Sequence, residues 1–425
     1  MMDKKIAVIA VAVVLVACAA GGAVLLMGNQ GKPAGSADFT AAELADMSWG
    51  DILEKARGQT VNWYFWGGDP NVNKYVDEQV SEEAAAYGIT INRVPVTDAT
   101  EFVNKVAGEK QAGKHTGGSV DLLWINGENF WTMKQGDLLF GPWADKLPNS
   151  VLVDWNNPAI AYDMGYPVDF YESPWGTAQF QMIYDSAKTN VEDLPKNFAE
   201  LRSWVEEHPG RFTYAAPPAF FGTTFIKAAL YELTGGFEQY EGQLTQEEFE
   251  ELSQPLYDYL DEIEPYLWNE GKTYPAEITE VNRMFNDGEI DLSMTFGGAG
   301  IDPMIKSGQL PSTAKVYCMD TSIANTNYVA IPYNANAKAA AMVVANILLQ
   351  PEQQADWIKL TGNAASINVS ALSGWRADVI NNVMESLPEG TYVPLDEMAR
   401  TKAPDLGGNL ITYLEAVWEE RIGGA

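Results

Sequence analysis

The sequence predicts an α/β fold, and three observations carry that reading. Strand-like and helical stretches alternate through residues 60–135. The stretch Val120-Asp121-Leu122-Leu123-Trp124-Ile125 is nearly all apolar, as a strand covered on both faces is. The chain has 425 residues, 46% of them hydrophobic, which supplies a large core and exceeds one ordinary domain. Two domains of roughly 150–200 residues are the natural division.

The elements follow in order. Thr40 with Glu43, and Ser48 with Asp51, have the spacing of capped helix starts, and the second helix ends at Gly58. Thr60 to Phe65 reads as a strand, Asn73 to Tyr87 as a helix closed by Gly88, and Ile89 to Val96 as a strand. A helix over Glu101 to Ala112, the strand at 120–125 and a helix from Phe130 complete the rhythm. Such alternation predicts a parallel sheet with helices on its faces, and ligands bind beyond the carboxyl ends of such strands. The middle differs in texture. Gly176 to Tyr184 reads as a long strand, Asn197 to Glu207 as a helix, Phe212 to Ala215 as a short strand, and Phe221 to Leu233 as a helix. Gln246 to Trp268 is acidic and helical, with breaks at Pro255 and Pro265. A helix at Ile278 to Asn286, strands at Ile290 to Thr295 and Tyr328 to Ile331, an Ala-rich helix at Asn336 to Leu349 and a helix at Leu410 to Arg421 follow.

At the N-terminus, Lys4 and Lys5 precede an uncharged run from Ile6 to Met27, an export signal. Two versions stay open. Leu15-Val16-Ala17-Cys18 resembles a lipoprotein processing box, which would leave Cys18 lipidated. The run is also long enough for an uncleaved membrane anchor. Residues 1–27 are thus a signal peptide or anchor, and 28–58 a tether with short helices. Both versions place the rest outside the cytoplasm at the membrane.

Net charge is −31, from 58 acidic against 27 basic residues, which argues against nucleic-acid partners. Solubility and attraction of a cationic ligand both explain the acidity. Of two cysteines, Cys18 lies in the leader, and Cys318 sits in a short apolar run as a core filler. His115 and His208 are isolated. No metal site, cofactor or Cys/His catalytic pair can be assembled from this inventory.

Four segments together resemble the type II periplasmic solute-binding proteins of ABC importers. They are Trp63-Tyr64-Phe65-Trp66-Gly67-Gly68-Asp69, Asp121 to Phe130, Pro174-Trp175-Gly176-Thr177-Ala178-Gln179, and Asn327-Tyr328-Val329-Ala330-Ile331-Pro332. The likeness is closest to an uncharacterised family of importer-associated solute-binding proteins related to the thiamine, polyamine and iron binders. It implies two α/β lobes joined by two hinge crossovers, with ligand held in the cleft between them. Lobe one would be 59–177 with 328–425, and lobe two 178–327. The partners it implies are a small organic solute, with a cationic one favoured, and ABC permease subunits.

Candidate ligand residues sit where strands end or helices begin. Trp66, Gly67, Gly68 and Asp69 offer an indole for stacking and a backbone that turns closely, although Asp69 could simply cap a helix. Asn126, Gly127, Glu128 and Asn129 put dense polarity after an apolar strand, or serve as a turn and cap. Gly222, Thr223 and Thr224 offer helix-start N–H groups and hydroxyls suited to an anionic group, or ordinary capping. Phe296, Gly297 and Gly298 could present backbone to a ligand. Trp175, Gln179 and Asn327 are hinge-side candidates, and Tyr274 with Glu277 a second-lobe pair. Two rival functions remain: a membrane-tethered ligand sensor, and a secreted hydrolase using paired carboxylates such as Asp69 and Glu128.

Overall fold

The computed structural model describes residues 39–242, 244–297 and 301–423. The signal or anchor, Cys18, the tether to Asp38 and Gly298 lie outside the described residues. No helix among the described residues is long and apolar enough to cross a membrane.

Among the described residues ten strands form in chain order: β1 (Thr60–Trp66), β2 (Thr90–Val96), β3 (Leu122–Ile125), β4 (Tyr162–Asp163), β5 (Tyr166–Pro167), β6 (Glu172–Asp185), β7 (Leu292–Gly297), β8 (Ala314–Tyr317), β9 (Ser322–Ala330) and β10 (Lys402–Ala403). The main sheet runs β2-β1-β3-β9-β6-β7, with β8 on β6 and β10 on β9, while β4 and β5 form a small hairpin. The parallel arrangement expected from the early rhythm holds for β1 with β2 and β3. β9 then pairs antiparallel to β3, β6 antiparallel to β9, and β7 antiparallel to β6, so the sheet is mixed.

Both short helices near the start carry the expected capping boxes at Thr40 and Ser48. Phe212 to Ala215 forms no strand, because neighbouring loops take its backbone groups. Phe212 O accepts the Trp268 N–H, and the Ala216 N–H goes to Pro275 O. The helix Gln246–Ile263 runs through Pro255, which is solvent-exposed and sacrifices one donor; it ends before Pro265.

Apolar side chains collect into two bodies. In the first, Trp63, Phe65, Trp175 and Val329 pack with Trp357 and the wholly buried helix Lys338–Leu348. Leu123, Ile125, Phe130 and Ala330 form a second layer on the other face of the same strands. In the second body, Phe180, Met182 and Met294 pack under the helices Phe220–Thr234 and Gln246–Ile263. Ile183, Phe285, Val316 and the unpaired thiol Cys318 pack beneath. Among the described strands, only β6 and β9 feed both bodies: Trp175 and Val329 enter one, Phe180 and Ile323 the other. Between the two, β6 shifts register from Pro174 to Gly176. At Gly176 a Cβ would lie 2.3 Å from the Trp357 ring, so the crossing admits no side chain there.

The C-terminal segment departs from the expected grouping of 328–425 with 59–177. Leu410, Leu414, Trp418 and Ile422 enter the core of residues 180–294. Tyr257 Oη donates to Leu414 O, and Trp418 Nε1 donates to Tyr214 Oη. The chain therefore passes between the bodies a third time, after Met384. The apolar period of 410–421 fixes a helix but does not say which core receives it.

Candidate ligand crevice

Strand alternation locates an opening along the buried central strands β3, β9 and β6. β9 is buried except at Asn325 and Asn327, which are two residues apart and share a face. Asn325 pairs with Ala178, which is partly exposed between buried neighbours on β6. Trp124, the partly exposed residue of β3, stands opposite Val329 and so lies on the face of Asn327. Asn126 continues that alternation one step past β3 and is also partly exposed. Toward the second body, β7 opens at Thr295, Phe296 and Gly297. Phe296 pairs with Phe180, on the Ala178 face, and Phe220 meets it edge to face, ring centroids 4.9 Å apart. Phe220 is 47% exposed, a large apolar surface left open at the start of a helix. Amides thus floor the opening, and two phenyl rings line its second-body side.

The Trp66 loop closes the carboxyl end of β1. Trp66 is 50% exposed and folds over Gly68, where a Cβ would come within 2.1 Å of the indole. Asp69 caps the next helix, accepting from the N–H groups of Asn71 and Val72, so its carboxylate is engaged locally. The Asn126–Asn129 loop is held from below. Gly127, at φ +60°, caps the helix Glu128–Gln135 without a side chain, and its N–H donates to Asp163 Oδ2 at 2.5 Å. Asn126 and Glu128 are thereby left uncommitted to capping.

Beneath this loop lie acidic groups. Asp163 and Glu172 are both buried, and burial pushes both carboxyls well above the usual range. Asp163 raises Glu172 further, Asp405 raises Asp163, and neither Glu172 oxygen has a hydrogen-bond partner among the described residues. Asp405 instead forms a buried ion pair with Lys227, at 2.5 Å. Among the described residues no cluster of His, Cys, Asp and Glu is placed to hold a metal.

Several expected ligand residues turn out to serve the fold. Trp175 is fully buried, in ring contact with Trp63, Trp124, Trp357 and Tyr75, and has no face left for a solute. Gln179 is fully buried on the face opposite Ala178, and its Nε2 donates to Met398 O and Thr401 Oγ1. Gly222 is a packing position, where a Cβ would lie 1.8 Å from Ala215 O. Thr223 donates to Glu415 and Thr224 to Phe220 O, so these hydroxyls are not free to hold an anion. Tyr274 packs its ring on Tyr214 and Trp418. The structure brings together Trp124, Asn126, Asn325, Asn327, Phe220 and Phe296 instead. Asn325 and Trp124 escape a sequence reading, although Asn325-Thr326-Asn327 carries a signal: polar residues at strand period inside an apolar crossing.

The sequence and fold have known relatives. Residues 78–382 match the family model of bacterial extracellular solute-binding proteins. Protein YnjB of Escherichia coli strain K12 is 40% identical over 308 residues, covering 72% of this chain and 78% of that protein. Among solved structures, the spermidine/putrescine transporter substrate-binding protein PotD of Streptococcus pneumoniae aligns with a TM-score of 0.57 at 15% identity, over 86% of this chain and 99% of that one. A Bordetella ferric binding protein aligns with a TM-score of 0.57 at 13% identity, over 86% and 98%.

Proposed function

From the premise that this chain belongs to the bacterial extracellular solute-binding protein family, we propose that it captures a small organic solute in the Asn325–Asn327 crevice and delivers it to the permease of an ABC importer. One observation carries the reading: the crevice opens on β6 and β9, the two strands that feed both hydrophobic bodies. Bending there would move Phe220 and Phe296 toward the Trp66 and Asn126 loops, expelling water and strengthening each amide contact. The lobes we propose are 59–177 with 328–384, and 178–327 with 403–423.

A cationic solute suits the site best. Net charge is −31, Glu128 is exposed at the rim, and the aromatic faces of Trp66 and Trp124 attract cations. The family places the protein outside the cytoplasm, and we propose that the N-terminal apolar run tethers it to the membrane there, through lipidated Cys18 or an uncleaved helix. The family is one of transport proteins rather than enzymes, and we propose that the solute leaves unchanged.

A thermal-shift screen of organic cations, sugars and small anions tests this reading. One class should stabilise the protein saturably with 1:1 stoichiometry, since a ligand bound only to the folded state stabilises by mass action. Stabilisation by anions alone would end the cationic preference. Chemical conversion of the bound compound would favour the hydrolase alternative.

A further inference from the structure

On the face of β6 opposite the crevice, the structure holds a partly open cavity of about 120 Å³ that the transport reading does not use. It lies between the segment 154–160, the loop 364–369 and the helix Leu395–Thr401 with Lys402 beyond it. At roughly 30 Å³ per water it holds about four waters, or one molecule of about five heavy atoms.

Its lining is unusual in polarity. Gln179, fully buried, leaves Oε1 without a hydrogen-bond partner among the described residues, because its Nε2 is spent on Met398 and Thr401. The Lys402 side chain, partly exposed, has neither an ion pair nor a hydrogen bond among the described residues, and the surrounding protein pushes its ammonium down to about 8 by desolvation. Asp154 also lines the cavity; among the described residues no cation lies within ion-pair distance of it, and the Asn156 N–H alone donates to its carboxylate. The two opposite charges therefore share one small cavity without meeting each other. An ammonium without a counter-charge in such surroundings is costly, and so is a buried acceptor without a donor. A lone anion would satisfy Lys402 but leave Gln179 Oε1 without a donor and face Asp154. A lone cation would do the reverse. Ile160 and Met398 supply the apolar remainder of the wall.

We propose that this rear cavity is a second ligand site, for a small zwitterion of glycine or alanine size. Its carboxylate would lie on Lys402, and its ammonium on Asp154 and Gln179 Oε1. No bond forms or breaks, and the site is distinct from the crevice because residues 178 and 179 point to opposite faces of β6.

Isothermal titration calorimetry on the full-length protein tests the assignment with glycine as probe and acetate and methylammonium as single-charge controls. Low-millimolar glycine lies well below the range in which surface exclusion of osmolytes stabilises proteins. Saturable glycine binding is expected, with little heat from either control. Lys402→Met and Asp154→Asn should each weaken it by roughly tenfold or more, as a lost charged contact does. Asp154 and Lys402 are both only partly buried, so both variants should keep the fold. A flat wild-type titration, acetate binding as tight as glycine, or glycine binding untouched in both variants would each overturn the proposal.

Discussion

Phe220 and Phe296 meet edge to face at 4.9 Å, one from the start of a helix and the other from the end of β7. Neither is buried, and Phe220 leaves nearly half its surface to solvent. A pair that served the core alone would be covered. Replacing Phe220 by Ala should therefore cost less than ~1 kcal/mol of stability, because little buried area is lost. Solute affinity should fall about tenfold or more, since an aromatic wall is removed from the crevice. Calorimetry with whichever solute stabilises the wild type reads both effects, and unchanged affinity would remove this pair from the site.

Two tryptophans should part company in the same assay. Trp175 is enclosed by four aromatic rings, so Trp175→Ala should lose about 3–5 kcal/mol of stability through the cavity it leaves. Trp66 is half exposed at a strand end, so Trp66→Ala should keep the unfolding midpoint and weaken the solute. Denaturant unfolding of both variants decides between them. Equal destabilisation would mean that the Trp66 ring is structural.

The Asn126–Asn129 loop depends on Asp163, whose Oδ2 takes the Gly127 N–H. Asp163→Asn keeps an acceptor and removes a carboxyl that burial and Asp405 push well above its ordinary range, so stability at neutral pH should stay level or rise. Asp163→Ala orphans a buried N–H, which costs about 1–3 kcal/mol, and frees the loop. Solute binding should survive the first change and weaken in the second. The opposite ranking, measured by calorimetry, would show that Asp163 acts by its charge.

How far the sequence reached follows from what each signal encodes. Capping boxes at Thr40 and Ser48 and the apolar runs of β1 and β3 are local, and they are found where composition puts them. β9 is longer than its apolar part suggests, because Asn325 and Asn327 face the crevice and interrupt the hydrophobic run. Trp175 looked like a platform because a large aromatic beside Pro and Gly reads equally well as exposed or enclosed. The packing of Trp63, Tyr75, Trp124 and, nearly 200 positions later, Trp357 decides it. The hydroxyls of Thr223 and Thr224 were legible as helix-start groups. That Glu415 from the C-terminal helix would claim one of them was not, since the docking of that helix is a long-range choice between two cores.

Glu232 gives the fold a pH dependence of definite sign. One oxygen accepts the Phe198 N–H, and the other has no partner among the described residues. Burial, reinforced by Asp320 and Glu200, pushes its carboxyl up to about 7. In the unfolded chain it titrates near the ordinary glutamate value. Below that value both states hold the proton and the group is neutral in the balance. As pH rises toward 7 the unfolded chain releases its proton first, so the folded state binds more protons and stability falls. At 1.36 kcal/mol for each pH unit between the two values the loss above pH 7 would be ~3 kcal/mol, and solvent screening of this partly exposed group lowers it to ~2 kcal/mol. Glu232→Gln retains an acceptor for Phe198 and carries no proton to lose. Its urea midpoint should match the wild type at pH 4.5 and exceed it at pH 8. Other raised carboxyls, Asp163 and Glu172 among them, act on both proteins alike, so the difference between the curves isolates Glu232. Curves that run parallel from pH 4.5 to pH 8 would show that this carboxyl titrates normally in the folded protein.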